Sequence, residues 1–95
     1  MAKVVWTEKA IEDLENIASF HSQYSENYTS SLIKRLFNKP NLLRQMPEMG
    51  RLVPEKNDLS IRELIIGNYR IIYQYQSVLD SISILTVHHS SVPFK

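Results

Sequence analysis

The first third of the chain carries apolar residues at steps of three and four, the spacing that lines up side chains on one face of an α-helix. This stripe comprises Ala10, Leu14, Ile17 and Ala18 and continues to His21. Thr7 precedes it as a residue whose hydroxyl can accept from a first-turn N–H, so the pattern predicts a helix over residues 8–22. Trp6 and Ile11 occupy the two positions of a hydrophobic staple, which would anchor the start of this helix.

A second helix is predicted after Ser25, which is another favourable N-cap residue. Its apolar face consists of Tyr28, Leu32, Leu36 and Leu43, with Ile33 and Phe37 beside it. Pro40 lacks a backbone N–H and is expected to kink or end this helix. Because only two or three residues separate the two helices, we expect them to form an antiparallel hairpin.

The second half of the chain changes to runs of β-branched and aromatic residues, which are typical of strands. Strands are predicted over residues 60–66, 69–76 and 81–88, and a short β-prone run lies at residues 4–6. Gly67-Asn68 suits a two-residue hairpin turn between the strands over 60–66 and 69–76. The order β-α-α-β-β-β predicts one α+β domain over residues 1–95, with the helical hairpin packed on a small antiparallel sheet.

The predicted hairpin brings Arg70 close to Glu63. A two-residue turn pairs Ile66 with Tyr69 and Glu63 with Ile72. Because side chains alternate between the two faces, Glu63 and Arg70 become diagonal neighbours on one face. Two interpretations of Arg70 follow: a structural ion pair with Glu63, or a guanidinium whose planar fork binds a phosphate or a partner's carboxylate.

Composition and charge make a soluble, cytoplasmic protein the expectation. The chain has no cysteine, which leaves out disulfides and thiolate chemistry, and no apolar run approaches the ~18 residues of a membrane span. Its start lacks the apolar segment of a signal peptide. The net charge of +1 conceals an excess of +4 over residues 31–70. That excess either forms a basic face for a nucleic acid or an acidic partner, or simply faces solvent. The basic residues concerned are Lys34, Arg35, Lys39, Arg44 and Arg51.

His88 and His89 are candidates for proton transfer near neutral pH. Adjacent strand residues point to opposite faces, so this pair cannot ligate one metal ion from a regular strand, and we expect neither a metal nor another cofactor. Either histidine can instead be a hydrogen-bonded residue at the rim of the sheet. Tyrosines 69, 73 and 75 are expected to pack on the sheet rather than to stack on nucleic-acid bases.

The whole chain resembles the RelE/ParE family of toxins from bacterial toxin–antitoxin modules. The matching pieces are Trp6-Thr-Glu-Lys-Ala10, Pro47-Glu-Met-Gly-Arg51, Val53-Pro-Glu55, Ile61-Arg-Glu-Leu64, Gly67-Asn-Tyr-Arg-Ile-Ile-Tyr73 and Ile84-Leu-Thr-Val-His88. The resemblance implies the same fold and a growth-inhibiting toxin, of the kind associated with plasmid stabilization, held inactive by a cognate antitoxin encoded beside it. From the matching pieces we take Arg51, Arg62, Glu63 and Tyr73 as candidate binding residues.

The resemblance also implies one of two mechanisms, since one branch of the family cleaves mRNA on the ribosome and the other poisons DNA gyrase. Arg70 matches an arginine that the cleaving branch uses on the RNA phosphate, and His88 or His89 could stand in for its C-terminal catalytic side chains. Many relatives carry a further arginine where this chain has Ser90-Ser91-Val92, and its absence argues against cleavage.

The resemblance therefore favours a ParE-like inhibitor of gyrase that is not an enzyme. The alternatives are a metal-independent endoribonuclease dependent on the ribosome, and an attenuated toxin that keeps only antitoxin binding. Contact with a membrane is not expected, and contact with nucleic acid is expected only through the target or the antitoxin complex.

Overall fold

The computed structural model describes residues 1–94 and contains a helical hairpin on one face of a five-stranded sheet. Its elements are β1 (Lys3–Trp6), α1 (Glu8–Ser22), α2 (Glu26–Asn38), a 3-10 helix (Lys39–Arg44), β2 (Arg51–Leu52), β3 (Ile61–Ile66), β4 (Tyr69–Gln76) and β5 (Ser81–His89). The predicted α+β class and the order of its main elements are confirmed. None of the described helices is long and apolar enough to cross a membrane.

The sheet is mixed, whereas the sequence pattern predicted an antiparallel one. Its strand order is β1-β5-β4-β3-β2, and β1 lies parallel to β5 at one edge while all other neighbours are antiparallel. Contacts of the first helix with β5 hold this arrangement. The Thr7 hydroxyl donates to the carbonyl oxygen of Ile84 at 2.6 Å, and the Asp13 carboxylate accepts from the Val87 N–H at 2.9 Å. Such long-range contacts leave no signal in the local pattern.

The turns and helix ends follow the sequence closely. β3 and β4 pair in the predicted register, and Gly67 in the turn has a φ of 55°, which glycine adopts without strain. Thr7 and Ser25 are the N-caps of the two helices and accept hydrogen bonds from the third residue beyond them. Pro40 lies in the first turn of the 3-10 helix. Because proline has no backbone N–H to donate, α2 ends just before it, at Asn38.

The main core lies between the two helices and the sheet. It includes Leu14, Leu36, Ile71, Tyr73 and Ile84. Trp6 packs on the edge of this core and stacks on Phe37 of α2, with ring centroids 5.3 Å apart. Ile11, the other residue of the predicted staple, is 38% exposed, and the aromatic ring that stacks on Trp6 comes instead from α2.

Candidate functional site

The face of the sheet opposite the helices carries an ion network centred on Arg70 of β4. The Arg70 Nε donates to Oε1 of Glu63 at 2.6 Å, and its two terminal nitrogens donate to both carboxylate oxygens of Glu55 at 2.7 and 2.8 Å. Nη1 also donates to the carbonyl oxygen of Val92 at 3.2 Å. These contacts use most of the five N–H donors of an arginine, and the Arg70 side chain is only 5% exposed.

Glu63 of β3 lies at the centre of this network and is fully buried. Its second oxygen, Oε2, accepts from the Nε of Arg51 at 2.5 Å. The register explains both contacts, because Arg51 lies directly opposite Glu63 across β2 and β3, while Arg70 is its diagonal neighbour on β4. Each oxygen of the buried carboxylate therefore has a cationic partner, which a buried charge requires.

Glu55 connects the network to the C-terminal residues 90–94. Its Oε2 accepts from the Phe94 N–H at 3.1 Å as well as from Arg70. The Phe94 ring lies 6.3 Å from the ring of His88, and the Nζ of Lys56 lies 5.1 Å from the Phe94 centroid. The hydrogen bonds from Arg70, with that from the Phe94 amide, lower the pKa of Glu55 from 4.5 to about 2. Glu55 in turn raises the already high pKa of Arg70, so both groups stay charged at neutral pH.

The two histidines point to opposite faces of the sheet, as predicted. His88 lies directly across from Arg70 on the face of the ion network, and its Nε2 is buried with no hydrogen-bond partner in the described part of the chain. Burial lowers the pKa of His88, and the Arg70 cation lowers it further, so the ring is neutral at pH 7. His89 is exposed on the helix side, where its ring packs on Tyr69 and its Nδ1 lies 2.8 Å from the Ser91 hydroxyl.

The remaining candidate binding residues hold the loop that leads into β2. Tyr73 is completely buried, and its hydroxyl donates to the Pro47 carbonyl at 2.8 Å and accepts from the Gly50 N–H at 3.0 Å. Arg62 donates to the Gly50 carbonyl at 2.9 Å. The side chains of Tyr73 and Glu63 are buried in this fold, and the binding role of all four residues stays a prediction. Arg51, whose side chain is 63% exposed, is accessible.

Of the two alternatives for the basic residues of the middle segment, their positions favour separate surface sites over one continuous basic face. Arg35 and Lys39 line a groove beside β3, Arg44 lines a different depression near the N-terminus, and Arg51 pairs with Glu63. Among residues 1–94, no group of three or more His, Cys, Asp or Glu side chains is arranged to hold a metal ion.

Comparison with known proteins identifies the class of protein that has this fold. A sequence profile of the family described as the ParE toxin of type II toxin–antitoxin systems matches residues 4–93. Because the match spans nearly all of the chain, the chain belongs to the ParE toxin family and is the toxin component of a type II toxin–antitoxin module.

Individual relatives agree with this assignment. Toxin RelE2 of Caulobacter vibrioides is 32% identical over 92 residues, covering 96% of this chain and 98% of that protein. The fold is similar to that of a chain in the chromosomal ParDE system of P. aeruginosa, with a TM-score of 0.77, 18% identity, and 94% and 96% of the two chains covered. It is also similar to a chain of the intact E. coli RelBE complex, with a TM-score of 0.61, 13% identity, and 94% and 96% covered.

Sequence reasoning found the contact between Arg70 and Glu63 but missed Glu55. Glu55 lies in the loop after β2, and its contact with Arg70 spans 15 positions that no periodic pattern connects. The one available signal was Val53-Pro-Glu55, which matched the family. The contacts of Val92 and Phe94 had no signal at all, because they come from residues beyond the last strand.

Proposed function

We propose that the chain is a ParE-like toxin that inhibits DNA gyrase through a protein–protein contact. The observation that carries this proposal is the enclosure of Arg70, the side chain that a phosphate-binding mechanism would need. Its guanidinium is engaged by Glu55, Glu63 and the Val92 carbonyl. The network contains two carboxylates and two guanidinium groups, so it has no net charge. An RNA phosphate would therefore have to displace a carboxylate in order to bind Arg70.

The histidines give a second line of support. Cleavage of RNA requires a proton-transfer group within hydrogen-bond reach of the reacting phosphate. The Nε2 of His88 is buried, and the ring of Phe94 lies beside it. His89 lies on the other face of the sheet from Arg70.

A ribosome-dependent endoribonuclease is the second candidate function. It is favoured by one observation, the position of His88 directly opposite Arg70 on the same face. Such a mechanism would require residues 90–94 to move away, because the Val92 carbonyl accepts from Arg70 and the Phe94 N–H donates to Glu55. It would need no metal, since the RNA 2′-hydroxyl can be the nucleophile.

We further propose that a cognate antitoxin binds the chain and neutralises it in the cytoplasm, where gyrase acts. Support comes from the similar folds in the P. aeruginosa ParDE toxin–antitoxin system and in the E. coli RelBE toxin–antitoxin complex. If the antitoxin folds on the toxin, binding buries apolar surface and gives a strongly negative heat-capacity change in calorimetry. A heat-capacity change near zero would contradict coupled folding.

The mechanism is tested by running two assays on the same purified protein. We expect inhibition of gyrase-dependent supercoiling, or accumulation of DNA cleavage complexes, and intact mRNA on translating ribosomes. Val78→Ser, in a turn where Val78 is 96% exposed, serves as a control that should behave as wild type. Specific mRNA cuts that disappear in His88→Gln but persist in His89→Gln would move the chain to the endoribonuclease class. Antitoxin binding without either activity would identify an attenuated toxin.

A further inference from the structure

Aromatic side chains form a connected cluster where the end of α1 and the start of α2 meet the sheet. Neighbouring ring centroids in this aromatic cluster lie 5.1 to 6.1 Å apart, the spacing of favourable aromatic pairs. The helices and the first residue of β4 are joined directly, because the Nε2 of His21 lies 2.8 Å from the Tyr69 hydroxyl. The members of the cluster are Phe20, His21, Tyr24, Tyr28, Tyr69 and His89.

The helical part of the aromatic cluster is exposed to solvent. Tyr24 is 75% exposed, Phe20 55% and Tyr28 52%. Among residues 1–94 one other Phe or Tyr ring is exposed, that of Phe37, and it is already stacked on Trp6. Contacts with their neighbours hold the rings of the cluster in place, so a partner would not have to order them on binding. Exposed aromatic surface of this kind is typical of the centre of a protein–protein interface.

The helical segment that carries these rings has an excess of negative charge. Residues 10–33 contain no lysine or arginine and four acidic residues, which are Glu12, Asp13, Glu15 and Glu26. Three of them, Glu12, Glu15 and Glu26, are exposed and form no ion pair with any described residue. Glu26 lies between Tyr24 and Tyr28 in the sequence. The segment therefore presents ring faces together with available carboxylates, and both are favourable partners of a guanidinium group.

We propose that the aromatic cluster is the surface through which the toxin binds gyrase, and that it contacts a basic surface of that enzyme. The inference rests on the proposed function, because it names the contact through which gyrase is inhibited. An arginine of gyrase stacks on the exposed rings of Phe20 and Tyr24, and its N–H groups donate to the Glu26 carboxylate. Gyrase acts on DNA, and proteins that hold DNA neutralise its phosphates with lysine and arginine. The target therefore has surface of the charge that this segment requires.

Charge distinguishes this occupant from the alternatives. Single-stranded nucleic acid can stack its bases on tyrosines, but it also needs a positively charged groove, and residues 10–33 have no lysine or arginine to form one. A second copy of the chain would bring its own Glu26 towards the same carboxylates, and like charges across an interface are unfavourable. A basic surface on a different protein satisfies both the rings and the acidic residues.

The first test is a binding titration of the purified toxin with purified gyrase, run beside the supercoiling assay. Tyr24→Ala should weaken binding about tenfold, whereas Tyr24→Phe keeps the ring face and should stay within about threefold of wild type. Because Tyr24 is 75% exposed, both variants should melt at the wild-type temperature. Val78→Ser removes an exposed apolar side chain outside the aromatic cluster and should bind as wild type.

Charge reversal provides a second test with a closely matched control. Glu26 and Glu8 are the exposed first residues of α2 and α1, so reversing either charge loses the same favourable interaction with a helix N-terminus. The 15 residues of α1 span about 22 Å and place Glu8 at the opposite end of that helix from the aromatic cluster. This length exceeds the ~8 Å over which charges interact at physiological salt. Glu26→Lys should weaken gyrase binding about tenfold, and Glu8→Lys less than about threefold.

The outcomes separate this inference from the proposed function. Equal gyrase affinity of wild type, Tyr24→Ala and Glu26→Lys, with inhibition retained, overturns the aromatic cluster as the contact and leaves the gyrase proposal intact. Equal losses for Glu8→Lys and Glu26→Lys also overturn it, because charge then acts at a distance. Tyr24→Ala that binds gyrase normally but loses antitoxin affinity overturns it by assigning the cluster to the antitoxin. A wild-type toxin that neither binds nor inhibits gyrase overturns both proposals.

Discussion

Replacing Arg70 with alanine should remove a large share of the stability of this fold. The substitution leaves the fully buried Glu63 carboxylate with Arg51 as its one remaining cationic partner, and it releases Glu55. Removing one partner of a buried ion pair costs about 3–5 kcal/mol of unfolding free energy. We expect the lower end of this range, about 3 kcal/mol, because Arg51 still neutralises Glu63. A domain of this size loses about 4–8 °C of melting temperature for each kcal/mol.

Urea denaturation of Arg70→Ala, Glu63→Gln and the double variant measures this effect. The costs of the two single substitutions should be non-additive by more than about 0.5 kcal/mol, because the residues are in direct contact. Arg51→Ala is the comparison variant: it leaves Arg70 in place but removes the partner of the buried Glu63 Oε2, so it should cost about 1–3 kcal/mol, less than Arg70→Ala. An unchanged denaturation midpoint for Arg70→Ala, or strictly additive costs, would refute a structural role. Toxicity lost in an Arg70→Lys variant of normal stability would instead support recognition of a ligand by the planar fork.

Three further predictions concern other parts of the fold. Because the folded pKa of His88 lies below its ordinary value of 6.5, unfolded chains bind more protons below that pH, and stability should fall as the pH drops below 6.5. His88→Gln should reduce this pH dependence in thermal melts, and an identical profile would contradict it. Tyr73→Phe leaves the Gly50 N–H without its buried acceptor and should cost about 1–3 kcal/mol in urea denaturation. Trp6→Ala removes the ring stacked on Phe37 and should cost about 3 kcal/mol, whereas an unchanged melting temperature would show that the stack does not stabilise α2.

The helix starts and the hairpin register of this structure could be predicted from the sequence. α1 begins after Thr7 and α2 after Ser25, because both caps act on N–H groups only three residues away. The hairpin register followed from Gly67-Asn68, and the register in turn gave the contact between Glu63 and Arg70. These features depend on interactions within a few residues, or on two strands joined by a two-residue turn.

The parts that were missed depend on contacts between distant segments. The carboxylate of Glu55 reaches Arg70 from a loop with no periodic pattern, and its presence changes an accessible guanidinium into an enclosed one. The stack of Trp6 on Phe37 likewise depends on how α2 crosses β1. Whether the basic residues of residues 31–70 form one face depends on how the elements that carry them pack, which the order of charges along the chain does not determine.

The parallel pairing of β1 with β5 has a consequence for when the protein can fold during synthesis. β1 emerges from the ribosome first, but its partner residues 81–84 are among the last strand residues to be made. The Thr7 hydroxyl, which caps α1, also donates to the carbonyl oxygen of Ile84, and this acceptor lies 77 positions further along the chain. Pairing of segments so far apart in the sequence slows folding. A nascent chain therefore cannot complete its sheet until translation has passed β5.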